Sequence, residues 1–106
     1  MIYVLAVITA KPGQREEVLK AFHANSPNVQ AEAGCIEYRA AIDAEDALPM
    51  QTPYGSDTFV VVEKWEDMAA LKAHAAAPHM AAYAAATKSW IASRTIHILS
   101  PLPAGS

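Results

Sequence analysis

Thr58-Phe-Val-Val-Val-Glu-Lys-Trp65 runs directly into Glu66-Asp67 and then Met68-Ala-Ala-Leu-Lys-Ala-His-Ala-Ala-Ala77. The first segment is dense in β-branched and aromatic residues and predicts a strand. The acidic pair falls where a helix begins, an end that favours negative charge through its free N–H groups and its dipole. Met68, Leu71 and Ala75 then recur on one stripe, which predicts a helix over 68–77. Residues two apart share a strand face, so Phe59, Val61, Glu63 and Trp65 point one way while Val60 and Val62 point the other. A carboxylate thus lies amid an apolar strand face, and the helix that follows can fold back over it.

The flanking sequence supplies the remaining elements. Ile2 to Thr9 reads as a strand, Lys11-Pro12-Gly13 as a break, and Gln14 to Ala24 as an amphipathic helix with Val18, Leu19 and Phe22 on one side. Ser26-Pro27 predicts the end or a kink of that helix. Gly34 to Asp43 reads as a second strand. The loop 43–57 is polar, carries Pro49, Pro53 and Gly55, and is long for a hairpin; such loops are often functional or mobile. Pro78 suits the first turn of a further helix, and 79–89 carries Met80, Tyr83, Ala84 and Thr87 at helical spacing. Trp90 is expected to close the core beneath it, and Arg94 to Leu99 forms the last strand. The order β-α-β-β-α-(α)-β is the split βαβ, ferredoxin-like pattern of an α+β domain: a four-stranded antiparallel sheet with helices on one face. One domain over 1–100 and an extended tail over 101–106 are expected.

An antiparallel sheet with one wet face alternates apolar and polar residues. The first strand instead places Ile2, Val4, Ala6 and Ile8 on one face and Tyr3, Leu5 and Val7 on the other, and the third strand is apolar on both. Helices cover one face only, so a second copy packed sheet to sheet is the simplest cover for the other.

The 106 residues carry 8 basic and 11 acidic groups, a net charge of −3, which speaks against a nucleic-acid binder or a polybasic membrane surface. The longest strongly apolar stretch, Met1 to Ala10, falls far short of the ~20 residues a membrane span needs and lacks the basic start of a signal peptide. With a single cysteine, Cys35, a reducing, cytoplasmic setting is expected. Cys35 is either a nucleophile beside a distant histidine or, more usually, a small core thiol. The four histidines (His23, His74, His79 and His97) lack metal-ligand spacing, and no phosphate- or dinucleotide-binding glycine loop is present, so no metal or cofactor is expected.

The chemistry-bearing constellation is Glu63, Trp65, Met68, Leu71, His74, His79 and Tyr83. A carboxylate among apolar neighbours must find a partner, reach water or take a raised pKa. Glu63 either pairs with Arg39 or Arg94 across strands or faces an apolar cleft. His74 either caps the chain near Pro78 or joins Trp65 beside that cleft, where an apolar wall with one or two titratable groups would form a small-molecule site.

Lys11-Pro-Gly-Gln14, Gly34-Cys-Ile-Glu-Tyr38, Val62-Glu-Lys-Trp-Glu66, Leu71-Lys-Ala-His74, Pro78-His-Met-Ala-Ala-Tyr83 and Ile96-His-Ile-Leu-Ser-Pro101 follow one another over nearly the whole chain. In this order they resemble the antibiotic biosynthesis monooxygenase superfamily of small dimeric α+β barrels, and most closely its cofactor-independent quinol monooxygenases. The resemblance implies a homodimer through sheet faces, a pocket between sheet and helices, and oxidation of a hydroquinone or similar phenolic by O2 without cofactor. It implies His74 as the base, with Glu63 orienting it or acting itself. Trp65, Met68, Leu71 and Tyr83, with Phe22, Phe59 and His79, would then hold the ring. The haem-degrading branch uses a first-strand asparagine, which residues 2–9 lack. An isomerase or detoxifying enzyme acting on a small polar metabolite, with Lys72 and Arg39 turned inward, and a non-catalytic dimeric ligand binder remain the alternatives.

Overall fold

The computed structural model describes residues 1–104. Strands β1 (Ile2–Ala10), β2 (Cys35–Ala41), β3 (Thr58–Trp65) and β4 (Ile91–Leu99) form one antiparallel sheet in the order β2-β3-β1-β4. Helices α1 (Arg15–Gln30), α2 (Met68–Ala75) and α3 (Pro78–Thr87) complete the fold, and a 3₁₀ turn (Lys88–Trp90) leads into β4. This is the ferredoxin-like α+β arrangement expected from the order of elements. Val4, Ala6 and Ile8 of β1 and Phe59, Val61 and Trp65 of β3 are buried on one sheet face, against Val18, Phe22 and Val29 of α1 and Leu71 of α2. Trp90 packs partly buried against the same core.

Several element boundaries differ from the sequence expectation. Helix α1 does not stop at Ser26-Pro27 but continues to Gln30 with Pro27 inside it. Proline removes one backbone donor, yet the extra turn brings Val29 to full burial, and Ala31 N–H closes on the Pro27 carbonyl at 3.1 Å. Helix α2 stops at Ala75, where Ala76 N–H bonds back to the Lys72 carbonyl at 3.2 Å, and α3 ends at Thr87. Strand β2 is trimmed to Cys35–Ala41, and β4 starts at Ile91, which pairs with Ala10 across an irregularity in the ladder. The start of α2 is held by Asp67, whose carboxylate accepts Ala70 N–H at 2.8 Å.

The helices do not cover the sheet evenly. Ile96 and Ile98 pair with Ala6 and Val4 and so share the helix side, yet they are 50% and 54% exposed. On the opposite face Leu5 and Leu99 are exposed, and Tyr3, Val7, Val60 and Val62 are only half-buried. The loop 43–57 is tied at its base: the Asp43 carboxylate accepts Tyr54 and Gly55 N–H at 3.0 and 2.8 Å. These two bonds hold its carboxyl below the usual range. Of the expected tail, residues 101–104 are exposed and irregular, and 105–106 lie outside the described residues.

Candidate active site

Between the helix layer and the sheet lies a cavity of about 730 Å³, within the roughly 300–1,000 Å³ typical of small-molecule sites. Its sheet wall is Val4, Ala6 and Ile8 of β1 with Ile96 and Ile98 of β4; the exposed β4 residues form its open rim. Phe22, Leu71 and Tyr83 contribute from the three helices. Tyr38, Glu63 and His74 supply polar groups, and Lys88 and Arg94 are the cations of the wall.

Glu63 and His74 are set by the strand-to-helix segment 58–77. Period-two alternation turns Glu63 to the helix side, 7% exposed, and α2 folds back so that His74 is 6% exposed. Trp65 joins them. Its indole N–H donates to Glu63 Oε1 at 2.9 Å, and its ring lies 4.6 Å from the His74 ring. Burial raises the Glu63 carboxyl above its usual value; the Trp65 hydrogen bond and nearby His74 oppose this, while Glu32 adds to it. A neutral Glu63 can donate a proton or hydrogen bond into the cavity, and an ionised one must be drawn out by a neighbouring positive charge.

Two residues that sequence reasoning missed complete the cluster. Glu32, in the turn between α1 and β2, receives His74 Nδ1 at 2.9 Å and His79 Nε2 at 2.8 Å on the same oxygen, Oε2. The trio is a hydrogen-bonded bridge; among the described residues no group of three or more His, Cys, Asp or Glu could hold a metal ion. Tyr38 faces Glu63 across the β2–β3 ladder, stacks on Phe22 at 5.0 Å and is 6% exposed. Burial, and then the carboxylate of Glu63, push its hydroxyl pKa upward. Burial likewise raises Tyr83 to about 12, with Arg94 acting in the opposite direction. Both phenols are therefore hydrogen-bond donors rather than bases at neutral pH.

The structure separates the residues grouped by sequence. Glu63, His74, Leu71, Tyr83 and Phe22 line the cavity. Trp65 and Phe59, both at 0% exposure, are solid core and lie outside the wall. Trp65 acts on the site only through Glu63 and His74. Met68 opens α2, is 40% exposed and lies outside the cavity wall. His79 is held by Glu32 outside the wall. The alternative pairing of Glu63 with Arg39 or Arg94 is replaced by the bond from Trp65. Arg39 pairs opposite Val62 on the other face and Lys72 is exposed on α2, so neither turns into the cavity. Cys35 is partly buried against the core, and burial followed by the Glu32 and Glu63 charges raises its thiol pKa, which disfavours the nucleophilic thiolate.

Fold and cavity together define a ferredoxin-like α+β protein with a ligand-sized, largely apolar chamber bearing a buried carboxyl and a buried imidazole. The chain belongs to the antibiotic biosynthesis monooxygenase family, whose profile matches residues 1–86. It is 38% identical over 103 residues to "Probable quinol monooxygenase YgiN" of Escherichia coli K12, covering 95% of this chain and 98% of that protein. Among solved structures it is similar to PA3566 from Pseudomonas aeruginosa, with a TM-score of 0.79 and 28% identity over 96% of this chain and 94% of that one. The fold also matches Rv0793 from Mycobacterium tuberculosis, with a TM-score of 0.78 and 23% identity over 99% and 98% of the two chains. Family membership supports monooxygenase chemistry in general. No helix among the described residues is long and apolar enough to cross a membrane.

Proposed function

We propose that this protein is a cofactor-independent monooxygenase that oxidises a hydroquinone or related phenolic with O2. The observation that carries the proposal is the pairing of a buried imidazole, His74, with a buried carboxyl of raised pKa, Glu63, on the wall of an apolar chamber of about 730 Å³. The relationship to a protein named as a quinol monooxygenase supports the substrate class.

The chemistry follows from the substrate. A neutral hydroquinone reduces O2 slowly, whereas its monoanion is a far better one-electron donor. His74 takes the hydroxyl proton, the general-base role that an imidazole in contact with a substrate most often fills. The anion passes one electron to O2, and the resulting semiquinone and superoxide radicals recombine after spin inversion. The new C–O bond forms at a ring carbon that bears hydrogen, and the peroxide takes up the proton lent to His74. Loss of water, built from that carbon's hydrogen and the departing OH, leaves a carbonyl. One oxygen atom enters the product and the other leaves as water. The protein's part is to orient the ring, accept the proton and stabilise developing charge; Phe22, Leu71 and Tyr83 hold the ring, and Glu63 faces the oxygen substituents.

The functional unit is the domain 1–100, working as a homodimer through the open sheet face, where Leu5 and Leu99 are exposed. An apolar face of this kind is ordinarily covered. A cytoplasmic setting fits the single free thiol.

The test is oxygen uptake by metal-stripped protein against a hydroquinone panel, with His74→Ala and an enzyme-free autoxidation control. Uptake above autoxidation, ¹⁸O incorporation from labelled O2 and a loss of about 10²–10⁴-fold in His74→Ala are the expected results. Turnover that persists without oxygen would refute the proposal. Lys88 and Arg94 on the wall favour a second reading, an isomerase acting on a small anionic metabolite. That reading requires a product of unchanged mass formed under nitrogen.

A further inference from the structure

We infer that Glu32 is the positioning residue of this site: it fixes the tautomer of His74 so that Nε2, and not Nδ1, meets the substrate. The inference deepens the proposed oxygenase and rests on His74 being its base.

The argument starts from the donor and acceptor inventory. A neutral imidazole carries one N–H and one bare nitrogen, and a carboxylate only accepts. His74 Nδ1 lies 2.9 Å from Glu32 Oε2, so with Glu32 ionised the proton resides on Nδ1. Nε2 is then bare. It has no protein partner among the described residues, and His74 belongs to the cavity wall. Free imidazole has no such constraint and samples both tautomers, so the carboxylate decides which nitrogen can act as a base.

The surroundings permit little else. The His74 ring lies against Trp65 at 4.6 Å and meets Tyr38 edge-on at 5.7 Å, so it cannot swing away. The His74 and Glu32 side chains are 7% and 14% exposed, which shields their interaction from water. His79, 28% exposed, places Nε2 at 2.8 Å from the same carboxylate oxygen. It thereby aims Glu32 and ties the start of α3 to the turn before β2. The ionisable groups facing His74 are Glu32 from that turn, Glu63 from β3 and Tyr38 from β2. Of these, only Glu32 is hydrogen-bonded to it.

The consequence is a base oriented by a carboxylate, the relation that activates histidine in hydrolytic triads. When Nε2 takes the substrate's proton, the imidazolium keeps its Nδ1–H on Glu32, and the new positive charge forms beside a negative one already in place. The proton leaves again from Nε2 to the peroxide, and Glu32 neither gains nor loses one.

The test is a two-bond ¹H–¹⁵N spectrum of the full chain labelled with [¹⁵N]histidine, recorded in mildly alkaline solution without substrate and assigned with His79→Gln. The wild-type protein is expected to hold His74 as the Nδ1–H tautomer. In Glu32→Ala the Nε2–H form is expected to appear. In the isosteric Glu32→Gln, kcat for hydroquinone oxidation is expected to fall at least ~10-fold, though by less than the ~10²–10⁴ that the base itself supplies, with KM nearly unchanged. A wild-type His74 already protonated on Nε2 overturns the inference without any variant having to fold. So does a tautomer that Glu32→Ala leaves unaltered. The spectrum needs no turnover, so a protein inactive on every hydroquinone removes the proposed function while the tautomer still decides the role of Glu32.

Discussion

Gly34→Ala tests how helix α2, which carries His74, is seated. Gly34 has φ +83° and lies in the turn before β2, and its carbonyl accepts Glu66 N–H at 2.8 Å just ahead of α2. A β-carbon added there would stand 2.6 Å from Ala70 Cβ and 3.4 Å from Glu66 Cβ. Two costs combine. The left-handed backbone costs an L-residue about 1–2 kcal/mol. The contact with Ala70 Cβ cannot be relieved by a rotamer change, because that atom is fixed to the helix backbone, and forced overpacking of this kind costs about 1–3 kcal/mol. The expected loss is therefore about 2–5 kcal/mol, a large share of the ~5–15 kcal/mol that holds a domain together.

Urea unfolding at constant m-value measures the loss directly. Adding Ala70→Gly separates the two costs: it relieves the steric part, leaves the backbone part, and costs about 1 kcal/mol itself as a glycine inside a helix. The double-mutant cycle should return a favourable coupling of about 1–3 kcal/mol. His74 lies one helical turn beyond Ala70, so any variant that folds by shifting α2 should also lose activity. A Gly34→Ala protein within ~0.5 kcal/mol of wild type, or a cycle with no coupling, would refute this account of the turn.

Three further outcomes are expected. Glu63 has a raised carboxyl pKa, so as pH climbs from 4.5 toward that raised value the unfolded chain releases its proton before the folded one does, and wild-type stability falls. Glu63→Gln removes this slope and keeps an oxygen for the Trp65 N–H, so its urea midpoint should gain on wild type as pH rises across that window; a constant difference would show that Glu63 titrates normally. Leu5→Lys, in the middle of the exposed apolar sheet face, should convert a sedimenting dimer into a monomer, and a wild-type protein that sediments as a monomer would remove the proposed interface. Met68→Ala should change stability by no more than ~0.5 kcal/mol and leave KM unchanged, because that side chain is exposed at the start of α2 and lies outside the cavity wall; a raised KM would place it in the site after all.

Element order was legible in the sequence because hydrophobic period switches between two and about 3.6 wherever strand meets helix, while the Pro- and Gly-bearing loop 43–57 and Pro78 mark the strand–strand and helix–helix boundaries. Depth was not. Alternation assigns Phe59, Glu63 and Trp65 to one face, but whether a side chain on that face meets packed core or open chamber depends on where the helices end above it. Helix α1 reaches over the sheet far enough to bury Val29, whereas strand β4, at the sheet edge beyond β1, leaves Ile96 and Ile98 exposed, so the cavity opens there and Phe59 and Trp65 are sealed elsewhere. The Pro27 signal was outweighed by the burial of Val29 against the tertiary core, which no local rule measures and which held the helix together for another turn.

Glu32 shows what kind of information was missing. It lies 42 residues from His74 and 47 from His79, in a turn with no period. Buried imidazoles need polar partners, so two histidines near one another imply an acceptor, yet the sequence offers 11 acidic candidates. Strand register narrows the choice. Cys35 pairs with Trp65, so the chain entering β2 lies at the end of the sheet where β3 hands over to α2. Glu32 is three residues before Cys35 and must therefore stand beside the helix that carries His74. Antiparallel register, rather than motif or composition, is the quantity from which this contact could have been deduced. It becomes available only when the pairing of β2 with β3 is known residue by residue.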